Sequence, residues 1–149
     1  MPATETQIVT FDNDTHRDQV VDLWKRVFAY KAPRNSPELV IDKKLAVDDS
    51  LFFVAVIDDR VVGTIMIGYD GRRGWIYLLA VDPKHRRHGI GSKLLRLAEG
   101  RLGSLGCVKI NLQIVDGNAL IEDFYEFNGY STEPRICMGK TIESNIDGS

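Results

Sequence analysis

The first third of the chain changes from a strand-like to a helix-like pattern of apolar positions. Residues 6–11, TQIVTF, form a short β-prone run and predict a first strand. Apolar residues then recur at helical spacing, which predicts a helix with Asp14 or Thr15 as its N-cap. This apolar stripe consists of Val20, Val21, Leu23, Trp24, Val27 and Phe28.

A second helix is predicted after segment 31–35, which contains a proline and is typical of a loop. Ser36 is a suitable N-cap, and Pro37 suits the first helical position because its missing N–H would have no partner there. We expect this helix to end at about Val47.

The middle of the chain predicts an antiparallel meander of three strands. Residues 51–57 and 61–69 are β-rich runs, and the charged segment 58–60 between them is a hairpin signal. A second turn over residues 70–74 leads into a third run, residues 75–81.

Helical and strand patterns alternate again in the last part of the chain. After a loop over residues 84–91, a helix is predicted by the apolar spacing of Leu94, Leu95, Ala98, Leu102 and Leu105. A strand over 108–115 and a helix over 118–128 follow, with Gly129 as the C-terminal cap of that helix. A last strand is expected within residues 130–141, before a polar tail over 143–149 that we expect to fray.

These elements follow the order β-α-α-β-β-β-α-β-α-β. Such an order predicts an α/β domain (an α+β mixed sheet), and no linker or repeat divides residues 1–149 into two domains.

Composition excludes some classes of function. The 149 residues suffice for one domain, and 44% hydrophobic residues predict a well-formed core. A formal charge of −2 argues against a protein whose main partner is nucleic acid, and the longest apolar run is too short to span a membrane. Cys107 and Cys137 have neither CxxC nor metal-ligand spacing, so we expect a cytoplasmic protein without disulfides or metal.

The segment from Leu79 to Ser92, LAVDPKHRRHGIGS, carries the clearest chemical signal. A strand ends, a basic loop follows, and a helix begins at once, which is an arrangement that binds phosphate through free N–H groups and the helix dipole. Gly89 and Gly91 allow close backbone approach, and Lys84 adds charge. Neither a Walker A loop nor a GxGxxG fingerprint fits these residues.

The spacing Arg86-x-x-Gly89-x-Gly91 resembles the Q/R-x-x-G-x-G/A motif of the GCN5-related N-acetyltransferase (GNAT) family. Asn118 and Tyr125, seven residues apart before FNGY, resemble the family's N-x-x-A-x-x-x-Y segment, with Ile121 at the alanine position. The resemblance covers nearly the whole chain, and the flanking SLFFVAV, VVGT and GYDG look most like small stand-alone bacterial members of the YpeA type.

The resemblance implies a GNAT-like fold with a splayed central strand and a chain that binds acetyl-CoA as co-substrate. Backbone N–H groups of the loop would hold the pyrophosphate, the strand end would pair with pantetheine, and Asn118 would bond the pantetheine arm, although Asn is also a favoured helix cap. The implied acetyl-CoA residues are Leu79, Ala80, Val81, Arg86, Arg87, His88, Gly89, Ile90, Gly91, Ser92 and Asn118.

Tyr125 is the implied general acid, because a phenol stays protonated at neutral pH and could protonate the leaving sulfur. Its alternative role is that of a core aromatic. The strand 75–79 lacks the glutamate that some members use as a base, so Asp70, or a chain of ordered water, is left for deprotonation. Position alone makes Arg34, Asn35, Tyr69, Trp75 and Tyr77 candidates for binding the acceptor amine.

Three functions therefore stay open. The leading one is an enzyme that transfers acetyl from acetyl-CoA to a primary amine of a small molecule, peptide or protein by direct attack in a ternary complex. The second is a non-catalytic module that binds or senses acyl-CoA. The third, which the net charge disfavours, is nucleic-acid binding through the basic residues 84–88. Families of this kind often dimerise, but the sequence identifies no homodimer interface.

Overall fold

A computed structural model describes residues 5–28, 33–115 and 117–142 of this chain. The first half contains β1 (Gln7–Thr10), α1 (Asn13–Val27), a 3-10 turn (Pro33–Asn35), α2 (Pro37–Val47), β2 (Phe52–Ile57) and β3 (Arg60–Tyr69). The second half contains β4 (Gly74–Val81), a 3-10 turn (Pro83–His85), α3 (Ile90–Ser104), β5 (Ile110–Leu112) and α4 (Ala119–Phe127).

The five strands form one mixed sheet in the order β1-β2-β3-β4-β5. Neighbouring strands are antiparallel from β1 to β4, and only the β4–β5 pair is parallel. The predicted class, a mixed α/β fold, is confirmed.

Each face of the sheet is covered by one hydrophobic cluster. On one face, α1 and α2 bury a cluster that contains Trp24, Ile41, Phe52 and Met66. On the other face, α3 packs Leu94, Leu95, Ala98 and Leu102 against Phe53, Ile65 and Ile67. Because strand side chains alternate between the faces, neighbouring residues such as Phe52 and Phe53 serve different clusters.

Several predicted helix ends agree with the structure. Pro37 begins α2 directly after Ser36, whose backbone is extended. Gly129 follows α4 with φ +96°, a left-handed conformation that glycine adopts readily, and Tyr130 N–H bonds the Tyr125 carbonyl.

The predicted N-cap of α1 is wrong. The cap is Asp12, whose carboxylate accepts a hydrogen bond of 2.9 Å from Thr15 N–H, so Asp14 and Thr15 lie within the first turn. Asp12 and Asp14 are equally suitable as residue types, and the extended backbone at Asp12 decides between them.

The last predicted strand, residues 130–141, is also wrong: no residue between 130 and 142 belongs to a strand. Pro134 lacks an N–H for a ladder, and the neighbouring β5 is only three residues long. The segment contacts β5 through side chains instead, since Glu133 accepts from Asn111 Nδ2 and pairs with Lys109.

The predicted strand 108–115 is shortened to Ile110–Leu112, because β4 diverges from β5 beyond this point. The tail 143–149 and residues 31–32 of the predicted loop lie outside the described residues.

Candidate functional site

The β4–β5 pair opens like a V. Pairing extends only over Gly74↔Ile110, Trp75↔Asn111 and Ile76↔Leu112, whereas β4 continues to Val81. Backbone groups of β4 beyond Ile76 thus have no strand partner on this side within the described chain. This geometry confirms the predicted splayed strand and leaves a backbone edge that an extended ligand could pair with.

A β-bulge lies in β4 at the opening. Met66 pairs with Tyr77 and Thr64 pairs with Ala80, so Leu78 and Leu79 together face the single residue Ile65. Leu78 has φ +47°, which is unfavourable for a residue with a branched side chain. Bulges of this kind redirect backbone groups next to functional sites.

A buried hydrogen-bond chain supports the bulge. Trp24 Nε1–H donates to Thr64 Oγ1 over 2.9 Å, and the Thr64 hydroxyl donates to the Leu78 carbonyl over 3.0 Å. Trp24 and Thr64 are both almost completely buried. Helix α1 is therefore connected through one hydroxyl to the strained residue of β4. Nothing in the sequence indicated this chain, because its members are 40 and 14 residues apart.

The loop between β4 and α3 has the conformation expected of a phosphate site. Arg87 and Gly89 have φ +68° and +76°, and α3 begins immediately afterwards at Ile90. The left-handed residues and the helix N-terminus expose backbone N–H groups that suit an anion. Lys84, Arg86, Arg87 and His88 of this loop are exposed to solvent, so the three lysine and arginine charges are accessible to a dissolved anion.

Asp82 anchors the start of this loop. Its carboxylate accepts from Lys84 N–H at 2.9 Å and from Arg26 of α1 at 3.2 Å. Burial opposes ionisation, but the hydrogen bonds from Lys84 and Arg26 outweigh it and hold the pKa of Asp82 below its ordinary value. The Asp82–Arg26 pair therefore connects α1 to the loop, which the sequence analysis missed.

Arg86 has a partner inside the chain. Its Nε donates to the Val81 carbonyl over 3.2 Å, so the side chain lies against the end of β4. The structure thus brings the predicted acetyl-CoA residues of the strand end and the loop together. Asn118 caps α4, as its alternative role predicts, since its side chain accepts from Ile121 N–H over 3.4 Å, and its contact with pantetheine stays a prediction. Ile121, at the family's alanine position, is 41% exposed.

Tyr125 lies on α4, on the β5 side of the opening. It is 8% exposed and packs edge-on against Phe124 and Tyr130. Burial raises the pKa of Tyr125 to about 12. It lines a groove of about 980 Å³ together with Trp75, Asn111 and other residues of the β5 region. A phenol here stays protonated over the whole physiological range.

A second cleft, of about 790 Å³, lies on the face of the sheet covered by α1 and α2. Five predicted site residues line it, namely Asn35, Tyr69, Asp70, Trp75 and Tyr77, whereas Arg34 is exposed and does not. Sequence reasoning missed the lining residues Trp24, Phe28, Pro37, Val40, Lys43, Lys44, Val47, Asp49, Met66, Gly68 and Leu78. Most of them read as ordinary core or helix-surface positions.

Asp70 is held by its own turn. One carboxylate oxygen accepts from the N–H groups of Arg73 and Arg72 at 2.7 and 2.8 Å, and these bonds hold the pKa of Asp70 below its ordinary value. Trp75 Nε1 donates weakly to the other oxygen at 3.4 Å. A carboxylate with a lowered pKa is a weak base but a permanent negative charge.

Comparison with known proteins gives a consistent result. A profile of the Acetyltransferase (GNAT) family matches residues 17–130. Ard1 from Thermoplasma volcanium is 23% identical with a TM-score of 0.74, and the match covers 85% of this chain and 82% of that one.

Two further solved structures share the fold. The PaiA N-acetyltransferase from Thermoplasma acidophilum, in complex with coenzyme A, is 19% identical with a TM-score of 0.77 over 89% of this chain and 93% of that one. Glucosamine-6-phosphate N-acetyltransferase from Arabidopsis thaliana is 20% identical with a TM-score of 0.67 over 93% and 99%. At these identities the likeness shows the fold.

Two further features concern only the part of the chain that the structure describes. Within it, no three His, Cys, Asp or Glu side chains are arranged to hold a metal ion. None of its helices has the length and apolar character needed to cross a membrane.

Proposed function

Because this chain belongs to the GNAT family of acetyltransferases, whose profile matches residues 17–130, we propose that it transfers acetyl from acetyl-CoA to a primary amine by direct attack in a ternary complex. Membership makes it an acetyl-CoA-dependent N-acetyltransferase. The acceptor, the roles of individual residues and the cytoplasmic location are parts of the proposal, and the YpeA type stays a prediction.

The observation that carries the proposal is the open V of β4 and β5 directly before the loop and α3. The V offers backbone groups to an extended chain such as pantetheine, and the left-handed residues Arg87 and Gly89 open N–H groups to a pyrophosphate. Gly89 supports this fit, because a Cβ there would meet nothing within 4 Å and the site is open to solvent. The free edge of β4 is followed directly by the loop, just as pantetheine is followed by the pyrophosphate in acetyl-CoA, and this order supports the proposal.

In the proposed reaction, the neutral amine nitrogen attacks the thioester carbonyl carbon and the C–S bond then breaks. The products are an acetamide and the thiol of CoA, and one proton passes overall from nitrogen to sulfur. Backbone N–H groups near the bulge of β4 would stabilise the charge on the carbonyl oxygen. Tyr125, protonated because of its burial, would supply the proton to sulfur.

Deprotonation of the amine is assigned to water in this proposal. The lowered pKa of Asp70 and its two backbone hydrogen bonds favour a role in the turn and in attracting the ammonium group. An acceptor with an α-amino-like pKa of about 8 would lose its proton more easily than a lysine-like amine with a pKa of about 10.4.

The function is tested by following free thiol release from acetyl-CoA with a panel of amino acids, peptides, polyamines and aminoglycosides. We expect turnover with at least one class of amine and none when the amine is left out. Binding of acetyl-CoA without turnover of any amine in the panel would favour the non-catalytic sensing module instead. Absence of binding would contradict the proposal as a whole.

The role of Tyr125 is tested by Tyr125→Phe, which keeps the ring but removes the hydroxyl. We expect kcat to fall by about 10²-fold or more with little change in acetyl-CoA affinity, since general acid catalysis contributes this much. Tyr130→Phe is the matched control, because it removes a hydroxyl from the same aromatic cluster that is bonded to Glu99 and has no assigned role in the reaction. Equal turnover in wild type and Tyr125→Phe would remove Tyr125 from the mechanism.

A further inference from the structure

We propose that the acceptor is a primary amine carried on an apolar body with no second positive charge. This inference rests on the proposed acetyltransferase function, and it assigns the cleft of about 790 Å³ on the α1–α2 face to the body of the acceptor. A volume of this size accommodates a small molecule or the first residues of a peptide.

The walls of the cleft are mainly aromatic and aliphatic. Trp24, Phe28 and Val40 come from the helices, and Met66, Trp75, Tyr77 and Leu78 come from the sheet. The Tyr77 ring lies against Gly68 of the neighbouring strand β3, since a Cβ added to Gly68 would be 3.4 Å from Cε2 of the ring. Tyr77 is nevertheless 46% exposed, so much of its apolar surface is still available for contact with an acceptor.

The charges of the cleft are few and mostly engaged. Of the described lining residues, Lys43 and Lys44 are basic, and Asp49 and Asp70 are acidic. The Lys44 side chain is largely buried, pairs with Asp49 at 2.9 Å and donates to the Ile67 carbonyl. This pair is therefore satisfied within the protein and has little remaining capacity to bind a charged ligand.

Asp70 is the one lining carboxylate that forms no salt bridge among the described residues. It can attract one ammonium group at the turn between β3 and β4, beside Trp75 and Tyr77. A second ammonium group would have to lie against apolar walls or near the positive charge of Lys43, and both places are unfavourable. The cleft thus disfavours polyamines and aminoglycosides and favours monoamines.

The first experiment uses n-alkylamines from ethylamine to hexylamine with purified protein and saturating acetyl-CoA. Each added methylene that enters the cleft should raise kcat/KM by about fourfold until the cleft is filled. The paired compounds are diamines of the same length, and we expect 1,6-diaminohexane to be at least about tenfold poorer than hexylamine. Equal or better turnover of the diamine would overturn the inference.

The same experiment separates two sources of this chemistry. 2-Phenylethylamine carries the apolar group on a small-molecule amine, whereas the peptide Phe-Gly-Gly carries it beside an N-terminal α-amino group. The inference is supported if 2-phenylethylamine is preferred over ethylamine, or Phe-Gly-Gly over Gly-Gly-Gly. The better of the two aromatic compounds shows whether the acceptor is a small amine or a peptide N-terminus. Indifference to the apolar group would overturn it.

Substitution of the cleft rim gives an independent readout. Val47→Glu places a carboxylate on a lining residue that is 64% exposed, so the fold should tolerate it. We expect the preference for hexylamine over 1,6-diaminohexane to shrink by about tenfold, because apolar contact is lost and a second ammonium gains a partner. Leu45→Glu is the matched control, since Leu45 is on α2, 39% exposed and outside the cleft.

Failure of the inference and failure of the proposed function give different results. Acetylation of charged amines as readily as apolar ones would leave the acetyltransferase function intact and contradict the inference alone. No acetylation of any amine by a protein that binds acetyl-CoA would contradict both. An unchanged preference in Val47→Glu, with Leu45→Glu also unchanged, would show that the cleft does not select the acceptor.

Discussion

At the scale of single residues, the hydroxyl of Thr64 connects two layers of the protein. It accepts from Trp24 and donates to the Leu78 carbonyl at the bulge. We expect Thr64→Val, which keeps the shape but removes the hydroxyl, to lower the free energy of unfolding by about 1–3 kcal/mol, because Trp24 Nε1 would be buried without an acceptor. Urea unfolding measures this loss.

The control for this prediction is Thr10→Val, on an exposed position of the edge strand β1. We expect a change within about 0.5 kcal/mol there. A Thr64→Val variant as stable as the control would show that the buried chain contributes nothing to the fold. A stable variant with reduced turnover would instead place its role at the bulge.

Tyr125 gives a prediction about pH. Its pKa is about 12 in the folded protein and about 10 when unfolded. Below pH 10 the phenol is protonated in both the folded and the unfolded state, so the contribution of buried Tyr125 to stability is fully present. As pH rises from 10 to 12 only the unfolded state ionises, and stability is lost by about 1.4 kcal/mol per pH unit.

The measurement is urea unfolding of wild type and Tyr125→Phe at several pH values from 8 to 12. The difference in unfolding free energy between the two proteins should be constant below pH 10 and should change above it in favour of the variant. Parallel curves up to pH 12 would mean that the phenol is not held in its protonated form.

Residue types predicted the position of the loop between β4 and α3, but they could not choose between similar neighbours. Asp12 and Asp14 are both good helix caps, and only the backbone conformation selects Asp12. Asp70 could be read as a base from its position, whereas its two backbone hydrogen bonds are visible only in the folded turn. The sequence therefore predicts which residue types a turn or a helix end needs, but the backbone conformation decides which of the suitable residues takes the role.

At the scale of elements, the N-terminus of α3 depends on the left-handed conformation of Gly89. Gly89→Ala introduces no clash, so any effect comes from the backbone, and we expect a loss of about 1–2 kcal/mol in stability. Acetyl-CoA affinity should fall as well, because the exposed N–H groups would move. Thermal unfolding and calorimetric titration with acetyl-CoA measure both effects.

Gly100, in the middle of the same helix, provides the matched control. Its Cβ position is also free of contacts, but its backbone is helical. Gly100→Ala should therefore stabilise the protein by about 1 kcal/mol without changing acetyl-CoA affinity. Equal behaviour of the two variants would contradict the role assigned to Gly89.

Helices and the central meander were predictable because their signals are local: apolar spacing, caps and hairpin turns. The length of β5 was not, since it depends on how far β4 stays beside it, and that pairing stops at Ile76, two residues before the bulge. The last predicted strand is absent because β5 is too short to pair with it. A strand needs a partner edge, and β5 offers only three residues.

At the scale of the whole molecule, one sheet is shared by two hydrophobic clusters. Phe53 and Ile65 belong to the α3 side, and Phe52 and Met66 belong to the α1–α2 side of the same strands. Neither cluster can lose its strands without disrupting the other. We therefore expect residues 5–142 to unfold as one cooperative unit, as a single domain should.

This expectation can be checked with a Trp75→Phe variant, in which Trp24 is the only tryptophan. Its fluorescence reports on the α1–α2 cluster, while far-UV circular dichroism reports on all elements. The two urea midpoints should coincide. An earlier fluorescence transition would mean that this layer separates before the rest of the sheet.

The V between β4 and β5 and the loop before α3 have one more consequence. In the proposed mode they hold pantetheine and pyrophosphate, which are the parts of acetyl-CoA that acetyl transfer leaves unchanged. Interactions that do not distinguish reactant from product contribute equally to the affinity of both. Free CoA would then compete with acetyl-CoA for the same site. The rate would follow the ratio of the two, so this enzyme would slow down whenever the cell's supply of activated acetate runs low.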